Sequence, residues 1–192
     1  MKNFKWGTES FSEAPINVVL FVSRNKDNAN VENFTERRMS FITHKSGDTL
    51  KDDFLDFVNR GVPGEMSRMY ISVNERDGKK IYTQLMHFLF DNPDFNLCSI
   101  NSKLAGIAAQ KECALARKWM FDFDSTDVNL LQEFLETISE QEKDIYMSVY
   151  GTPHGYAVVT SRGFDCRELL EKFDFVTLKR DDLLCVDWRT KE

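Results

Sequence analysis

The sequence predicts an α+β domain in which an antiparallel or mixed sheet packs against helices. Apolar runs of strand length, such as "INVVLFVSR" (16–24) and "KWMFDFD" (118–124), alternate with longer segments of helical periodicity. Short turns join successive strands in the second half, which indicates antiparallel pairing. The 192 residues show no internal repeat, low-complexity tract or break in composition, so we expect a single domain over 1–192.

The N-terminal half (1–117) supplies three predicted strands and three predicted helices. The strands, which are alternating or rich in β-branched residues, are 16–24, 37–46 and 68–75. The helices, which have helically spaced apolar residues or helix-forming composition, are 49–60, 77–91 and 102–118. Gly61 and the pair Asn92-Pro93 are placed to end the first two helices. The segment "FNLCSI" (95–100) fits either a loop or a strand.

The second half (118–188) has a sharper pattern. A strand at 118–124 leads into an amphipathic helix at 125–142, for which Ser125 or Thr126 is the predicted N-cap. The later elements are strands at 144–152 and 155–162 around the turn Pro153-His154-Gly155, a short helix at 165–173, and a hairpin at 175–188 turning at 180–182.

Composition narrows the class of protein. A hydrophobic fraction of 42% with 16 Phe predicts a packed core, and no segment approaches the length of a membrane span. The N-terminus lacks the unbroken apolar stretch of a signal peptide. The four Cys are widely spaced, without CxxC pairs, and are expected to be buried reduced thiols rather than zinc ligands. We therefore expect a cytoplasmic protein that does not bind membranes.

The formal net charge of −6 disfavours nucleic-acid binding through bulk electrostatics. A local site is still compatible with this charge, since metal ions can screen carboxylates that face phosphates.

Asp122 and Asp124 end the apolar strand "KWMFDFD". Residues i and i+2 of a strand point to the same face, so these two like charges are neighbours. A divalent cation between them relieves their repulsion, and hard oxygen ligands suit Mg²⁺ or Mn²⁺. The alternative is structural: Asp124 caps the following helix together with Ser125, and Asp122 pairs with a Lys or Arg.

A phosphoryl-transfer site with two metal ions needs at least one more carboxylate. Asp187, in "LLCVDW", follows apolar residues of strand type and is the first candidate. Asp174, Asp181 and Asp182 compete with it, although the last two have the context of exposed turn residues.

Among the histidines, His154 stands in a turn next to the proposed metal strand. We predict that it contacts a nucleotide phosphate, with an exposed turn residue as the alternative. His87 lies inside an apolar helical segment and is predicted to be partly buried, whereas His44 has no distinctive context.

Several basic residues can supply phosphate contacts, because Arg suits bidentate binding of phosphate oxygens. The candidates are Arg37, Arg38, Arg68, Arg76, Lys179 and Arg180. Taken singly, each is more typical of a solvated surface charge.

Together, three segments resemble a known family. A hydrophobic strand ending in "FDFD", a strand-turn-strand "TPHGYAVV" and a late strand "CVDW" are similar to the catalytic module of archaeo-eukaryotic primases and primase-polymerases. The resemblance covers about residues 118–188 and extends to the short, single-module versions carried by phages. It implies an RNA-recognition-motif-like catalytic half, metal binding by Asp122, Asp124 and Asp187, and a location in the host cytoplasm if the chain is phage-encoded. The family has a His on the strand after the turn, where this chain has Ala157.

The leading functional prediction is therefore a metal-dependent nucleotidyltransferase-like protein that binds a nucleoside triphosphate and either DNA or RNA. Asp122, Asp124 and Asp187 would hold Mg²⁺ or Mn²⁺, with nucleotide contacts from His154, Lys179 and Arg180. One alternative is a non-catalytic phage accessory module that binds nucleotide, nucleic acid or a protein partner, so the sequence leaves open whether the chain is an enzyme. A second is a metal-dependent nuclease or phosphoesterase with water as nucleophile.

Overall fold

The structure is a computed structural model that describes residues 16–45 and 47–192. The strands are β1 (Asn17–Ser23), β2 (Arg37–Thr43), β3 (Met66–Ser72), β4 (Trp119–Phe123), β5 (Met147–Thr152), β6 (Gly155–Thr160), β7 (Val176–Lys179) and β8 (Leu183–Thr190). The α-helices are α1 (Lys51–Asn59), α2 (Gly78–Asp91), α3 (Ile100–Ala108), α4 (Val128–Gln141) and α5 (Arg167–Lys172).

The strands of this described part form two antiparallel four-stranded sheets. The first sheet has the order β2-β1-β3-β8 and the second has the order β5-β6-β4-β7. The α+β class with antiparallel pairing is thereby confirmed. The N-terminal segment, in which no signal peptide was predicted, and Ser46, the last residue of the predicted strand 37–46, lie outside the described residues.

The first sheet is covered by helices on part of its surface. Val19 and Phe21 of β1 point toward α1, where they pack with Phe54 and Phe57. Val18 packs in a cluster with residues of α2 and α3. Leu20 and Val22, which share the face of Val18, line a cavity instead. One face of the first sheet is thus left partly open.

The second sheet has a closed face and an open face. Phe121 and Phe123 of β4 are fully buried against Phe134 of α4 and Leu169 of α5. Strand alternation then turns Asp122 to the opposite face, away from both helices. The phenylalanine-rich core therefore determines the direction in which Asp122 points.

The two sheets meet where β8, at the edge of the first sheet, contacts the open face of the second. Leu184 of β8 packs with Met120 and Ala157, and Val186 lies against the same cluster. Residues of β8 on the other side of the strand, Leu183 and Cys185, line a cavity between the sheets.

Buried polar contacts also join the sheets beyond the end of β3. Arg76, whose side chain is 1% exposed, donates to both carboxylate oxygens of Asp181 at 2.8 Å. Asn74 donates to the same Asp181 and to the carbonyl of Lys118. This polar strut ties the end of β3 to the β7–β8 connection.

The predicted hairpin at 175–188 is wrong. β7 pairs with β4 in the second sheet, whereas β8 crosses to β3 in the first. Its predicted turn contains Asp181, and the ion pair of Asp181 with Arg76 holds the chain at this crossing point.

Three smaller predictions, on a helix cap, a histidine and a cysteine, also need correction. The N-cap of α4 is Asp127, whose carboxylate accepts from the backbone N–H of Asn129 at 2.8 Å, rather than Ser125 or Thr126. His87 is exposed, because α2 turns Ile81, and not His87, into the core. Cys98 is exposed, unlike the other three thiols.

The third helix is shorter than the pattern indicates: α3 ends at Ala108, and a 3-10 turn follows at 111–113. Residues 97–99, left open between loop and strand, also form a 3-10 turn. Within residues 16–45 and 47–192, no helix combines the length and hydrophobicity needed to cross a membrane.

Candidate functional site

A charged cleft lies between the open faces of the two sheets. It consists of two adjoining cavities of about 200 and 580 Å³, which share Asp122, Tyr70 and Arg24 in their walls. Asp124 and His154 line the smaller cavity, whose floor includes Met120. We use "charged cleft" for these two cavities together.

The acidic side of the charged cleft comes from the second sheet. Asp122 lies between Ala157 of β6 and Thr177 of β7 in the sheet register. Burial raises the pKa of Asp122, and the charge of Asp124 raises it further, while Lys179 acts in the opposite direction. The acidic pair thus consists of a half-buried carboxylate whose ionisation is disfavoured, Asp122, and an exposed one, Asp124.

A glycine brings the β5–β6 turn against this acidic pair. A Cβ on Gly155 would lie 2.1 Å from the carbonyl oxygen of Phe123 and 2.9 Å from the backbone nitrogen of Ser125. Only glycine permits this close approach. It places the neighbouring His154 in the same cavity as Asp124.

The cationic side of the charged cleft comes mainly from the first sheet. Arg24 and Lys26 follow β1, Arg38 lies on β2 and Arg68 lies on β3. Lys179, at the end of β7, is the contribution of the second sheet. The lining also includes Glu36 and Asp182 in the larger cavity.

Asp27 fixes two of these arginines. Its carboxylate accepts from Arg24 Nε at 2.9 Å and from Arg68 Nη2 at 2.6 Å, and its side chain is 3% exposed. Burial by itself raises the pKa of Asp27, but the hydrogen bonds from Arg24 and Arg68 outweigh it and hold the pKa below its usual value. Asp27 therefore stays ionised and orients both guanidinium groups.

Arg68 links this network to His154. Arg68 Nη2 lies 3.1 Å from His154 Nε2. A guanidinium has no acceptor atom, so Nε2 must accept and the ring hydrogen lies on Nδ1. Arg68 Nε is buried and has no hydrogen-bond partner in the described part of the chain. Arg76 Nε, in the polar strut, is likewise buried without a partner among the described residues.

Ala157 occupies the strand position directly opposite Asp122. It is 2% exposed and lines the smaller cavity. A His at this position, as the resemblance implies, would stand beside the acidic pair. In this chain the imidazole closest in sequence is His154, which reaches the same cavity from the turn.

The candidates for a third carboxylate occupy different places. Asp182 lines the larger cavity with Asp122, and its charge contributes to the raised pKa of Asp122. Asp187 pairs with Arg189 at 3.1 Å, and Asp181 belongs to the polar strut. Asp174 is exposed between α5 and β7. In residues 16–45 and 47–192, no three His, Cys, Asp or Glu side chains form a ready ligand set for a metal ion.

The structure also locates the other predicted basic residues. Arg37 forms an ion pair with Glu65 outside the charged cleft, and Arg180 stacks over the Trp119 ring at 5.1 Å. The surface expectation is wrong for Arg68 and Arg76, which are 5% and 2% exposed. Both are buried because an aspartate neutralises each of them.

Sequence reasoning missed Arg24, Lys26, Asp27 and Tyr70. Arg24 was placed at the end of the predicted strand 16–24, and Lys26 and Asp27 follow it in a polar run that was interpreted only as a loop. Tyr70 lines both cavities, and burial raises the pKa of its hydroxyl. The sequence did contain one signal for Arg24 and Lys26, because basic residues stood at the end of a strand predicted to be buried.

No protein-family model matches this chain, and no curated protein matches it significantly in sequence. The resemblance to primase-polymerases therefore rests on the motifs "FDFD", "TPHGYAVV" and "CVDW" alone.

Proposed function

We propose that the protein is a metal-dependent nucleotidyltransferase-like protein of the primase-polymerase type, and that it binds a nucleoside triphosphate in the charged cleft. The observation that carries the proposal is that Asp122 and Asp124 share a cavity with Arg24, Lys26 and Arg68. Carboxylates bind a divalent cation, and arginine and lysine bind phosphate oxygens. A metal-bound triphosphate needs both kinds of group in one place.

The residues fit a Mg²⁺ or Mn²⁺ ion. Mg²⁺ is commonly held by one or two carboxylates, with phosphate oxygens and waters as its other ligands. Asp122 matches this pattern, because burial and the charge of Asp124 disfavour its ionisation and a cation beside both carboxylates would offset that penalty. Asp122 and Asp124 would hold the ion, which would supply charge neutralisation at the transferring phosphoryl group.

The remaining groups of the charged cleft have complementary roles. Arg24, Lys26 and Arg68 neutralise the triphosphate, and His154 can donate from Nδ1 to a phosphate oxygen. Lys179 lies on the larger cavity, whose volume of about 580 Å³ lies in the range of small-molecule sites. In the transfer, an acceptor hydroxyl attacks the α-phosphorus, a new P–O bond forms, and pyrophosphate leaves with the electrons of the broken bond.

Isothermal titration of ATP and dATP with and without Mn²⁺ tests this proposal. We expect nucleotide binding to be much tighter with Mn²⁺, and we expect Asp122→Ala and Asp124→Ala to remove that gain. Asp174→Ala is the matched control, because it removes an exposed carboxylate outside the charged cleft. Equal nucleotide binding in all four proteins would contradict the proposal.

The third carboxylate is tested in the same assay. Asp182 shares a cavity with Asp122, which favours it as a ligand, whereas the resemblance implies Asp187. We expect Asp182→Ala to weaken Mn²⁺-dependent binding more than Asp187→Ala does. The opposite order would assign the role to Asp187.

Ala157 favours a second candidate function, a non-catalytic binding module of the same architecture. A donor lost from a preorganised site typically lowers the rate about 10²- to 10³-fold. A primer-extension assay separates the two functions, because a binding module binds nucleotide without incorporating it. Ala157→His is the informative variant: a gain of incorporation would show that the rest of the charged cleft is competent.

A further inference from the structure

Strand β5 lies at an edge of the second sheet and is open to solvent. In the described part of the chain it pairs only with β6. Its sequence, "MSVYGT", contains no charged residue and no proline, its register with β6 is unbroken, and residues 148–151 are all exposed. An edge strand of this kind presents backbone N–H and C=O groups that can pair with another strand.

The other three sheet edges are protected. β2 begins with Arg37 and Arg38, and α3 packs against it. β7 has only four residues and ends at Lys179. β8 lies against the open face of the second sheet, where Leu184 packs with Met120. Charge, short length and cover are common ways in which proteins prevent edge strands from pairing. Among the four edges in the described part of the chain, β5 alone uses none of them.

The outward backbone groups of β5 belong to alternate residues. A two-residue turn joins β5 to β6, and the N–H of Ser161 donates to the carbonyl of Tyr146 at 2.9 Å. Successive residues of an antiparallel strand direct their N–H and C=O groups to opposite sides. The backbone groups of Met147, Val149 and Gly151 therefore point away from β6, so a further strand would bond to these three residues.

We propose that β5 is a self-association edge, on which β5 of a second copy of this chain pairs antiparallel about a two-fold axis at Val149. In this register Val149 faces itself, and Met147 of each copy faces Gly151 of the other. Every outward N–H and C=O group of 147–151 then has a partner. The same residues meet on both sides of the axis, so the contact closes as a dimer and joins the two second sheets into one.

The side chains on the open face of β5 fit this register. Large and small residues alternate there: Tyr146, Ser148, Tyr150 and Thr152. The two-fold axis places Tyr150 opposite Ser148 of the other copy, and Tyr146 opposite Thr152. Each tyrosine therefore faces a small side chain, and the two Tyr150 rings lie diagonally across the axis, within reach of each other. Tyr146 and Tyr150 are 83% and 41% exposed, so both rings are accessible to a partner.

The other face of β5 also has room for a second copy. Met147 lies opposite Gly151 of the other copy, where an added Cβ would meet no described atom within 4 Å. Charges of both signs adjoin each end of β5: Lys118, Glu142, Lys143, Asp144 and Arg162 near Tyr146, and the charged cleft near Thr152. Backbone hydrogen bonds and side-chain size, rather than charge, therefore select this register.

The size of the edge predicts the strength of the dimer. Aromatic side chains bury roughly 150–250 Å² each, so the exposed parts of Tyr146 and Tyr150 in both copies offer at most on the order of 500 Å². Interfaces smaller than about 1,200 Å² belong to weak, transient complexes. The dimer therefore forms at high protein concentration and dissociates on dilution.

Sedimentation velocity from micromolar to millimolar concentration tests the proposal. We expect the average mass of the wild type to rise from monomer toward dimer. Val149→Pro removes an outward N–H, which an edge strand tolerates, and the dimer loses one backbone hydrogen bond per copy. The dissociation constant should rise about tenfold or more.

Val128→Pro is the matched control for this substitution. Val128 is 63% exposed and is the first residue of α4, a position that accepts proline, and it lies outside β5. We expect this variant to dimerise like the wild type. A wild type that stays monomeric, or a Val149→Pro variant that dimerises as well as Val128→Pro does, overturns the proposal.

A pair of charged variants tests the two-fold axis itself. Val149 is 43% exposed, so a monomer accommodates either Lys or Glu at this position. Val149→Lys and Val149→Glu each place like charges opposite each other in a homodimer and should dimerise more weakly than the wild type. An equimolar mixture should form the heterodimer, because Lys then faces Glu. A mixture that associates no better than its components shows that residue 149 does not meet itself and overturns the pairing.

Discussion

The first and second sheets contribute opposite charges to the same cleft. The first sheet and its loops provide Arg24, Lys26, Arg38 and Arg68, whereas the second provides the acidic pair and a single lysine. Each sheet also stabilises its own contribution differently. Asp27 pairs with two arginines of the first sheet, whereas Lys179 and Arg68 only partly offset the burial of Asp122 and its repulsion from Asp124. The cationic side is therefore preorganised without a ligand, and the acidic side needs a counter-ion.

The largest effect is expected where the two sheets are tied together. Asp181→Ala leaves Arg76 buried without its ion-pair partner, which typically costs 3 to 5 kcal/mol, about the loss we expect in the free energy of unfolding. Urea denaturation measures it. Asp165→Ala, which removes an ion pair at the surface, should cause no measurable change. Equal stability of the two variants would show that the polar strut does not hold the sheets together.

The second largest effect is expected in ATP binding. Variants on the cationic and acidic sides of the charged cleft should differ in how their ATP affinity depends on metal. Arg68→Met should weaken ATP binding about tenfold or more both with Mn²⁺ and with a chelator, because hydrogen bonds to charged groups contribute about 1.5–3 kcal/mol. Asp122→Asn should weaken binding only with Mn²⁺. With the chelator it should bind ATP slightly more tightly, since a charge that repels phosphate is gone. If both variants changed ATP affinity equally, with Mn²⁺ and with the chelator, the two sides of the charged cleft would not differ in their dependence on metal.

The stability of the two sides should also respond to pH with opposite sign. Asp122 has a raised pKa, so its favourable contribution is complete below the ordinary value of 3.8 and is lost as the pH rises through the folded-state pKa. Asp122→Asn should therefore melt higher than the wild type at pH 7 and equal to it below pH 3.8.

Asp27, with its lowered pKa, contributes stability above 3.8 that is lost as the pH falls. Asp27→Asn should melt lower than the wild type at pH 7, with the difference shrinking in acid. Thermal melts of the wild type and both variants, from below pH 3.8 to pH 7, show the direction in which each variant changes the melting temperature. Parallel shifts of both variants would contradict the contrast between the two sheets.

The smallest effect concerns a thiol in the charged cleft. Burial raises the pKa of Cys185 to about 11, whereas Cys98 is exposed. In a thiol-labelling assay at pH 8, Cys98 should react first and Cys185 much more slowly, because only the thiolate is nucleophilic. Peptide mapping of the labelled protein identifies the sites. Fast labelling of Cys185 would show that the charged cleft opens more widely than the structure describes.

Local patterns made much of the fold predictable, and contacts distant in sequence account for the main errors. Strand alternation was enough to turn Asp122 away from the phenylalanine core, since the information lies within seven residues, although β4 ends at Phe123 and Asp124 lies just beyond it. The β7–β8 crossing was missed because it depends on Asp181 meeting Arg76, 105 residues away. The N-cap of α4 was placed one or two residues early because Ser125 and Thr126 are also good caps.

The cationic side of the candidate site was unpredictable for the same reason. Arg68 is buried only because Asp27, 41 residues earlier in the chain, neutralises it, and neither residue is distinctive by itself. The convergence of Arg24, Asp27 and Arg68 follows from the pairing of β1 with β3. A sequence pattern indicates where the strands are, but it does not indicate which residues become neighbours when the strands pair.

The return of β8 to the first sheet has a consequence for how the chain folds. Residues 119–179 form the whole second sheet from one continuous segment, so that sheet can fold as soon as it leaves the ribosome. The first sheet is complete only when residues 183–190 are present, because β3 pairs with β8 across more than a hundred residues. Until then the edge of β3 is unpaired, and the wall that carries Arg68 is incomplete. The charged cleft is consequently completed only after residues 183–190 have been synthesised.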